Sequence, residues 1–238
     1  MTPSTASALP RDDRVVIVTG AAGNLGRAVA DAFATLGCRL VLVDRHDHDD
    51  APSATRLHVT ADLRREDQAQ QVATAALQAF GRIDVLCNVA GGFRMGEAVH
   101  ATSDDTWDFL FDLNARSVVH MAHAVLPHML ARGSGKVVNV GALGALKGGA
   151  QMGAYAASKA AVMRLTETMS AEVRAQGINV NCVLPSTIDT PENRSAMPDA
   201  DPGKWVAPQD LASVIVFLAS DQSRAIHGAL IPVAGLSG

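Results

Sequence analysis

Apolar positions along the chain follow two different periods: short unbroken hydrophobic runs alternate with longer stretches in which they recur every three or four residues. Val15-Val-Ile-Val-Thr19 is a β-branched run closed by Gly20, and Leu25, Val29, Ala32, Phe33 and Leu36 follow at helical spacing up to Gly37. The pattern predicts a strand, a glycine turn and a helix. Further strands are predicted at 39–43, 57–60, 84–89, 136–140, 178–184 and 229–233. Helices are predicted at about 66–80, from near Ser103 to about Leu130, at 152–175 and at 209–219. Thr102 and Asp105 offer a capping box for the second helix of that series, which carries Pro127 in its last part.

Strands that alternate with helices require right-handed crossovers and a sheet covered on both sides. The expected fold is α/β, a doubly wound, mostly parallel, seven-stranded Rossmann-type sheet with helices on both faces. A chain of 238 residues fits one such domain, expected over 14–238 behind a flexible tail at 1–13. Two stretches lack either period. Segment 45–54 is polar and too short for a crossover helix. Segment 186–207 is rich in Pro, Asp and Ser, follows the carboxyl end of a strand, and is expected to serve as a substrate lid.

Composition narrows the partners. With 48% hydrophobic and 18% charged residues the chain is neither disordered nor fibrous. Lys+Arg 20 against Asp+Glu 24 gives a net charge of -4 with no basic block, so neither nucleic acid nor an anionic membrane is an expected partner, and a small molecule is. No run is long enough to span a bilayer and 1–13 holds no secretory apolar stretch, so a cytoplasmic location is expected. Cys38, Cys87 and Cys182, an odd number set in apolar strands, read as reduced core thiols. His46-Asp-His-Asp-Asp50 reads as a solvated loop, and His120 and His123 as surface or interface residues of a helix. No metal site is expected.

Two segments carry chemistry. Thr19-Gly-Ala-Ala-Gly-Asn-Leu-Gly26 lies between strand and helix, where small residues let backbone N–H groups and a helix N-terminus approach a pyrophosphate; a tight turn with no ligand would look the same. Asp44 closes the second strand, placed to accept hydrogen bonds from an adenosine ribose and to repel a 2′-phosphate. This favours NAD(H) over NADP(H), although Arg45 follows directly. In Tyr155-Ala-Ala-Ser-Lys159 the only tyrosine of the chain lies one helical turn from a lysine, whose charge would stabilise phenolate and lower the tyrosine pKa. A half-buried Tyr beside a surface Lys has the same spacing.

From Val15 to Val233 the sequence resembles the short-chain dehydrogenase/reductase family. The resemblance rests on the Thr19–Gly26 turn, Asp62, Asn88-Val-Ala-Gly91, Asn114, Tyr155-Ala-Ala-Ser-Lys159 and the 185–190 segment. It implies a cofactor site of Gly20, Gly23, Asn24, Leu25, Gly26, Asp44, Asp62, Leu63, Asn88, Ala90, Gly91, Tyr155, Lys159, Pro185, Ile188 and Thr190. Within it, Asp62 meets the adenine, Asn88, Ala90 and Gly91 support the ribose and the central sheet, and Ile188 and Thr190 face the nicotinamide carboxamide. It also implies catalysis by Asn114, Tyr155 and Lys159, with Asn114 holding a water that links Lys159 to solvent, and assembly as a homotetramer or homodimer through the long helices.

The chain departs from the family pattern at three places. Asn24 stands where the middle glycine is usual, a residue that tolerates a left-handed backbone. Val89 replaces a common Asn. Ala142 occupies the position of the catalytic serine, thirteen residues before Tyr155, so no hydroxyl there polarises a substrate carbonyl. The serine-lacking quinonoid dihydropteridine reductase branch is similar in Val89-Ala-Gly-Gly-Phe93, in 141–146 and in 184–205, and Phe93 could stack on a pterin ring. The expected function is NAD(H)-dependent hydride transfer to or from a small carbonyl or imine-like, quinonoid pterin-like substrate, in a pocket that includes Phe93 and Ala142. A nucleotide-binding regulatory or scaffold protein that has lost activity is the alternative.

Overall fold

The computed structural model describes residues 13–46 and 53–237. Almost all of the tail expected at 1–13, and the His46–Asp50 tract after His46, lie outside them. Strand β1 (Val15–Thr19) is buried throughout, and its alternating side chains enter two cores: Val15 and Ile17 one, Val16 and Val18 the other. A run that is hydrophobic at every position has no face left for water, which is why the central strands lack a polar alternation. With β2 (Arg39–Asp44), β3 (Arg56–Thr60), β4 (Val85–Asn88), β5 (Gly135–Val140), β6 (Ile178–Pro185) and β7 (Leu230–Val233) it forms one sheet in the order β3-β2-β1-β4-β5-β6-β7. Every pairing is parallel.

Helix α1 (Asn24–Thr35) and helix α7 (Pro208–Leu218) cover one face with Val29, Phe33, Leu211 and Ile215. The other face is covered by α2 (Glu66–Phe80), α4 (Ser117–Arg132) and α5 (Gly153–Val173), through Val72, Met121, Val125 and Val162. Shorter helices are α3 (Asp104–Phe111) and α6 (Pro191–Ala196). The chain leaves β1 toward β2 and β3, then returns to lay β4 on the other side of β1. This reversal opens a crevice above the carboxyl ends of β1 and β4, the place where ligands bind in open parallel sheets.

The helix predicted from Ser103 to Leu130 is not continuous. Between α3 and α4 lies one π-helical turn, Asp112–Arg116, and Asn114 sits within it. The expected Thr102–Asp105 capping box is not formed either. Ser103 is the N-cap and accepts from the Thr106 N–H at 3.2 Å, while the Thr102 hydroxyl donates to the Ala98 carbonyl. Pro127 leaves α4 intact, its missing N–H taking only one bond from the ladder.

Segment 186–207 carries α6 and returns to the sheet rim, where the Val206 N–H donates to the Thr187 carbonyl and the Asp189 N–H to the Val206 carbonyl. At the opposite edge, buried Asp84 accepts from the Val15 N–H, from Arg82 and from Arg132. Burial pushes its carboxyl up, and these donors outweigh that and hold it low. His120 reaches the Leu63 carbonyl and His123 the Glu66 carboxylate. Both therefore tie α4 to the start of α2, His120 half-buried and His123 exposed. Cys38, Cys87 and Cys182 are buried and unbridged. Among the described residues no helix is long and apolar enough to cross a membrane.

Candidate active site

The glycine turn after β1 is shaped by space as much as by φ. Gly20 has φ +67°, and a Cβ there would lie 2.8 Å from the Ala90 Cα, so the turn can sit against the β4 loop only without a side chain. A Cβ on Gly26 would come within 2.1 Å of the Gly20 carbonyl oxygen. Gly23 is the N-cap of α1, its N–H donating to the Gly20 carbonyl at 3.1 Å. Asn24 is the first helical residue and does not have a positive φ; the left-handed conformation falls on Gly20 instead. The Asn24 amide donates to Glu192 of α6 at 2.8 Å, joining the turn to segment 186–207, and Leu25 is buried beneath. The cradle suits a pyrophosphate, with bare backbone and the N-terminus of α1 facing the crevice.

At the end of β2, Asp44 accepts from the Ala22 N–H at 3.0 Å and from the His46 N–H at 3.3 Å. Its carboxylate is thereby fixed beside the turn. The Arg45 Nε donates to His46 at 3.0 Å and forms no hydrogen bond to Asp44. Asp62, after β3, is chelated by Arg64 through Nε and Nη2, and this fork, with the Arg64 N–H, holds its carboxyl below the usual range against the opposing effect of burial. Leu63 is buried, with its carbonyl on His120.

Thr19 secures the neighbouring loop, its hydroxyl accepting from the Val89 and Ala90 N–H groups, each at 3.0 Å. Asn88 is buried and its amide donates to Asn139 at 2.8 Å. Its side chain supports the central sheet, as expected, because β4 is central and its inward polar groups must be satisfied there. Beyond it, a Cβ on Gly91 would lie 3.0 Å from both the Asn114 Oδ1 and the Lys159 Nζ.

Asn114 grips Gly92: its Oδ1 accepts from the Gly92 N–H at 2.8 Å, and its Nδ2 donates to the Gly92 carbonyl at 3.1 Å and to Ser158 at 3.0 Å. Both amide hydrogens are engaged, while Oδ1 accepts one bond and keeps a second lone pair for a water. Ser158 in turn donates to the Tyr155 carbonyl, fixing the start of α5 against the π-helical turn. Lys159 is buried, and its ammonium donates to the Val140 carbonyl at 2.8 Å; burial pulls it down to about 8. Burial pushes the Tyr155 phenol up to about 12, so the downward pull expected from Lys159 does not prevail here.

Ala142 lies in extended backbone after β5 and is buried. Phe93 is 55% exposed and meets Tyr155 edge to face. Pro185 ends β6, Ile188 forms the bridge to Val206, and Thr190 is the N-cap of α6, accepting from the Asn193 N–H. Sequence reasoning left out Thr19 and Ser158 as positioning residues. Each was visible as a polar residue in an otherwise apolar element, a signal that a bonded partner is required.

A family model described as short chain dehydrogenase matches residues 14–201. The 2-dehydro-3-deoxy-D-gluconate 5-dehydrogenase of Escherichia coli (strain K12) is 35% identical over 246 residues, covering 96% of this chain and 97% of that protein. Among solved structures, levodione reductase superposes with a TM-score of 0.86 at 29% identity, covering 94% of this chain and 97% of that one. The 3-ketoacyl-(acyl-carrier-protein) reductase from Brucella melitensis, complexed with NADH, gives 0.83 at 27% identity, covering 94% and 98%. None of the three is a pterin reductase by name, and the resemblance to the dihydropteridine branch finds no support among them.

Proposed function

This chain belongs to the short-chain dehydrogenase family, and we propose that it is an NAD(H)-dependent oxidoreductase of a small polar carbonyl compound and the matching alcohol. The observation that carries the proposal is the convergence of Asn114 and Lys159 on Gly91, with Tyr155 one turn from Lys159 at the same sheet edge. No side chain fits between the two at Gly91, and the glycine turn that suits a pyrophosphate lies across the crevice.

The nicotinamide, when bound, supplies or takes up the hydride. Tyr155 gives its proton to the substrate oxygen in reduction and takes it back in oxidation. Lys159 favours the phenolate in the second direction and holds the nicotinamide ribose. Asn114 fixes the Gly92 loop against α5 and holds the water through which protons return to Lys159. Asp44, held by two N–H groups, accepts from the adenosine ribose and excludes a 2′-phosphate, which makes NAD(H) the preferred cofactor. Asp62 and Leu63 border the adenine, and Pro185, Ile188 and Thr190 the carboxamide. Segment 186–207 acts as the lid, closed onto the turn through Glu192 and Asn24.

Since a relative of this chain acts, by its name, on a sugar acid, polar small molecules head the substrate panel. A quinonoid pterin has Ala142 and the Phe93 ring alone in its favour. Ala142 also supports a second reading, a nucleotide-binding protein without turnover. The deciding experiment follows NADH absorbance with keto acids, ketoses, simple ketones, quinones and quinonoid dihydropterin. Turnover is expected on the first two classes. Bound NADH with no turnover on any of them gives the second reading, and no NADH binding overturns both.

Assembly fits the same reading. The outer faces of α4 and α5 leave an apolar groove of about 400 Å³ lined by Ala122, Leu126, Leu130, Leu165 and Met169, where a second copy would bury it. A monomer in sedimentation at micromolar concentration would remove this part of the proposal.

A further inference from the structure

Next to the catalytic tyrosine lies a second, smaller cavity of about 180 Å³, lined among others by Arg94, Glu97, Gln151 and Ala154. Its lining includes the chain neighbours of two residues of the site. Ala154 precedes Tyr155 in the chain, and Arg94 follows Phe93, whose ring touches the Tyr155 ring. A substrate with its reacting carbon at Tyr155 has this cavity within reach of its far end.

The two charges in the cavity are not equivalent. Glu97 is already satisfied: its carboxylate accepts from the Ser103 N–H at 3.1 Å and from the Thr106 hydroxyl at 3.2 Å, at the positive N-terminus of α3. Arg94 has no such partner. Its guanidinium carbon lies 3.9 Å from the centre of the Phe109 ring, and among the described residues no carboxylate pairs with it. A guanidinium held over an aromatic ring, its N–H groups unclaimed by any carboxylate, can receive a substrate carboxylate through two parallel hydrogen bonds.

The cavity wall at Gln151 carries backbone in an uncommon conformation, tied down by a hydrogen bond. Gln151 has φ +60°, alone among the described non-glycine residues in lying at positive φ, and its carbonyl accepts from the Gly96 N–H at 2.9 Å. That bond ties the loop carrying Arg94 to the loop that leads into α5. Strained backbone held by its surroundings clusters at binding sites.

From these observations, and resting on the oxidoreductase reading above, we propose that Arg94 anchors the carboxylate of the substrate, so that the protein acts on small hydroxy acids and keto acids in preference to neutral alcohols and ketones. Glu97 and Gln151 then face the intervening carbons, where they can bond hydroxyl groups.

The test uses the NADH-loaded protein and unreactive probes matched in size: butyrate against butyramide, and gluconate against sorbitol, followed by calorimetry. The carboxylates should bind at least tenfold more tightly than their neutral counterparts. Arg94→Ala should erase that difference and Arg94→Lys should restore part of it, with the NADH dissociation constant unchanged in both. Equal binding of acid and neutral probe, no binding of either, or a preference that survives Arg94→Ala each overturns the assignment while leaving the oxidoreductase reading in place. Failure of the unmodified protein to bind NADH overturns that reading, and the assignment with it.

Discussion

The Phe93 ring stands edge-on to the phenol of Tyr155, with centroids 4.8 Å apart and planes at 82°. The contact covers part of the Tyr155 ring. Burial pushes the phenol up to about 12, which keeps it a proton donor across the neutral range.

Tyr155→Phe removes that donor and little else. NADH binding should stay within a few-fold of the unmodified protein by fluorescence titration, while turnover falls by about two orders of magnitude or more, the usual loss for a general acid. Undiminished turnover would move the proton source to water or to the substrate itself.

Ala142→Ser places a hydroxyl where none exists. Ala142 follows β5, at the carboxyl end of the sheet, and the new Oγ is expected to donate from there to an oxygen that gains charge. Turnover of simple ketones should rise about tenfold, a modest share of what a well-placed oxyanion donor contributes. A quinonoid pterin should be unaffected. A ketone activity already high before the change and constant after it would show that backbone N–H groups do the polarising.

Cofactor choice turns on Asp44. The protein should bind NADH more tightly than NADPH, and Asp44→Ala should narrow the gap by relieving repulsion of the 2′-phosphate. Tighter NADPH binding by the unmodified protein would mean that Arg45 leaves His46 to meet the phosphate.

Lys159 gives the fold a pH dependence of definite sign. Its pKa is about 8 when folded against 10.5 when exposed, so between those values the unfolded chain holds a proton that the folded one has released. Stability therefore rises with pH from about 8 toward 10.5. Tyr155 acts oppositely and later: raised from 10.0 to about 12, it makes stability fall across that higher window. In Lys159→Met the rise between pH 8 and 10 in thermal melts should vanish. Parallel curves for the two proteins would show that the ammonium is hydrated in solution.

The sheet was legible because burial on both faces forces unbroken apolar runs, and Glu66–Phe80 emerged with the same ends from periodicity and from the structure. The glycine turn was legible for a related reason: Gly26 has no room for any other residue. The π-helical turn at Asn114 was hidden, since one extra residue in a long amphipathic stretch barely disturbs the spacing of its apolar positions. Helix α6 was missed as well. Six residues are too few to display a period, although Thr190 followed by Pro191 carries the start signal of a helix. Arg94 stood out by no spacing or motif, because pattern alone does not reveal which neighbour a polar side chain meets.

The π-helical turn has an implication for how the chain can change. A single-codon deletion within 112–116 would let α3 and α4 merge into one evenly wound helix, a local improvement in backbone geometry. It would also swing every position beyond the cut by about 100°. Val118, Met121 and Val125 would turn away from the sheet, and the amide of Asn114 would lose Gly92. The segment is thus held irregular from both ends, by the core on one side and the crevice loop on the other. Insertions and deletions should be excluded from these five positions even where substitutions are not.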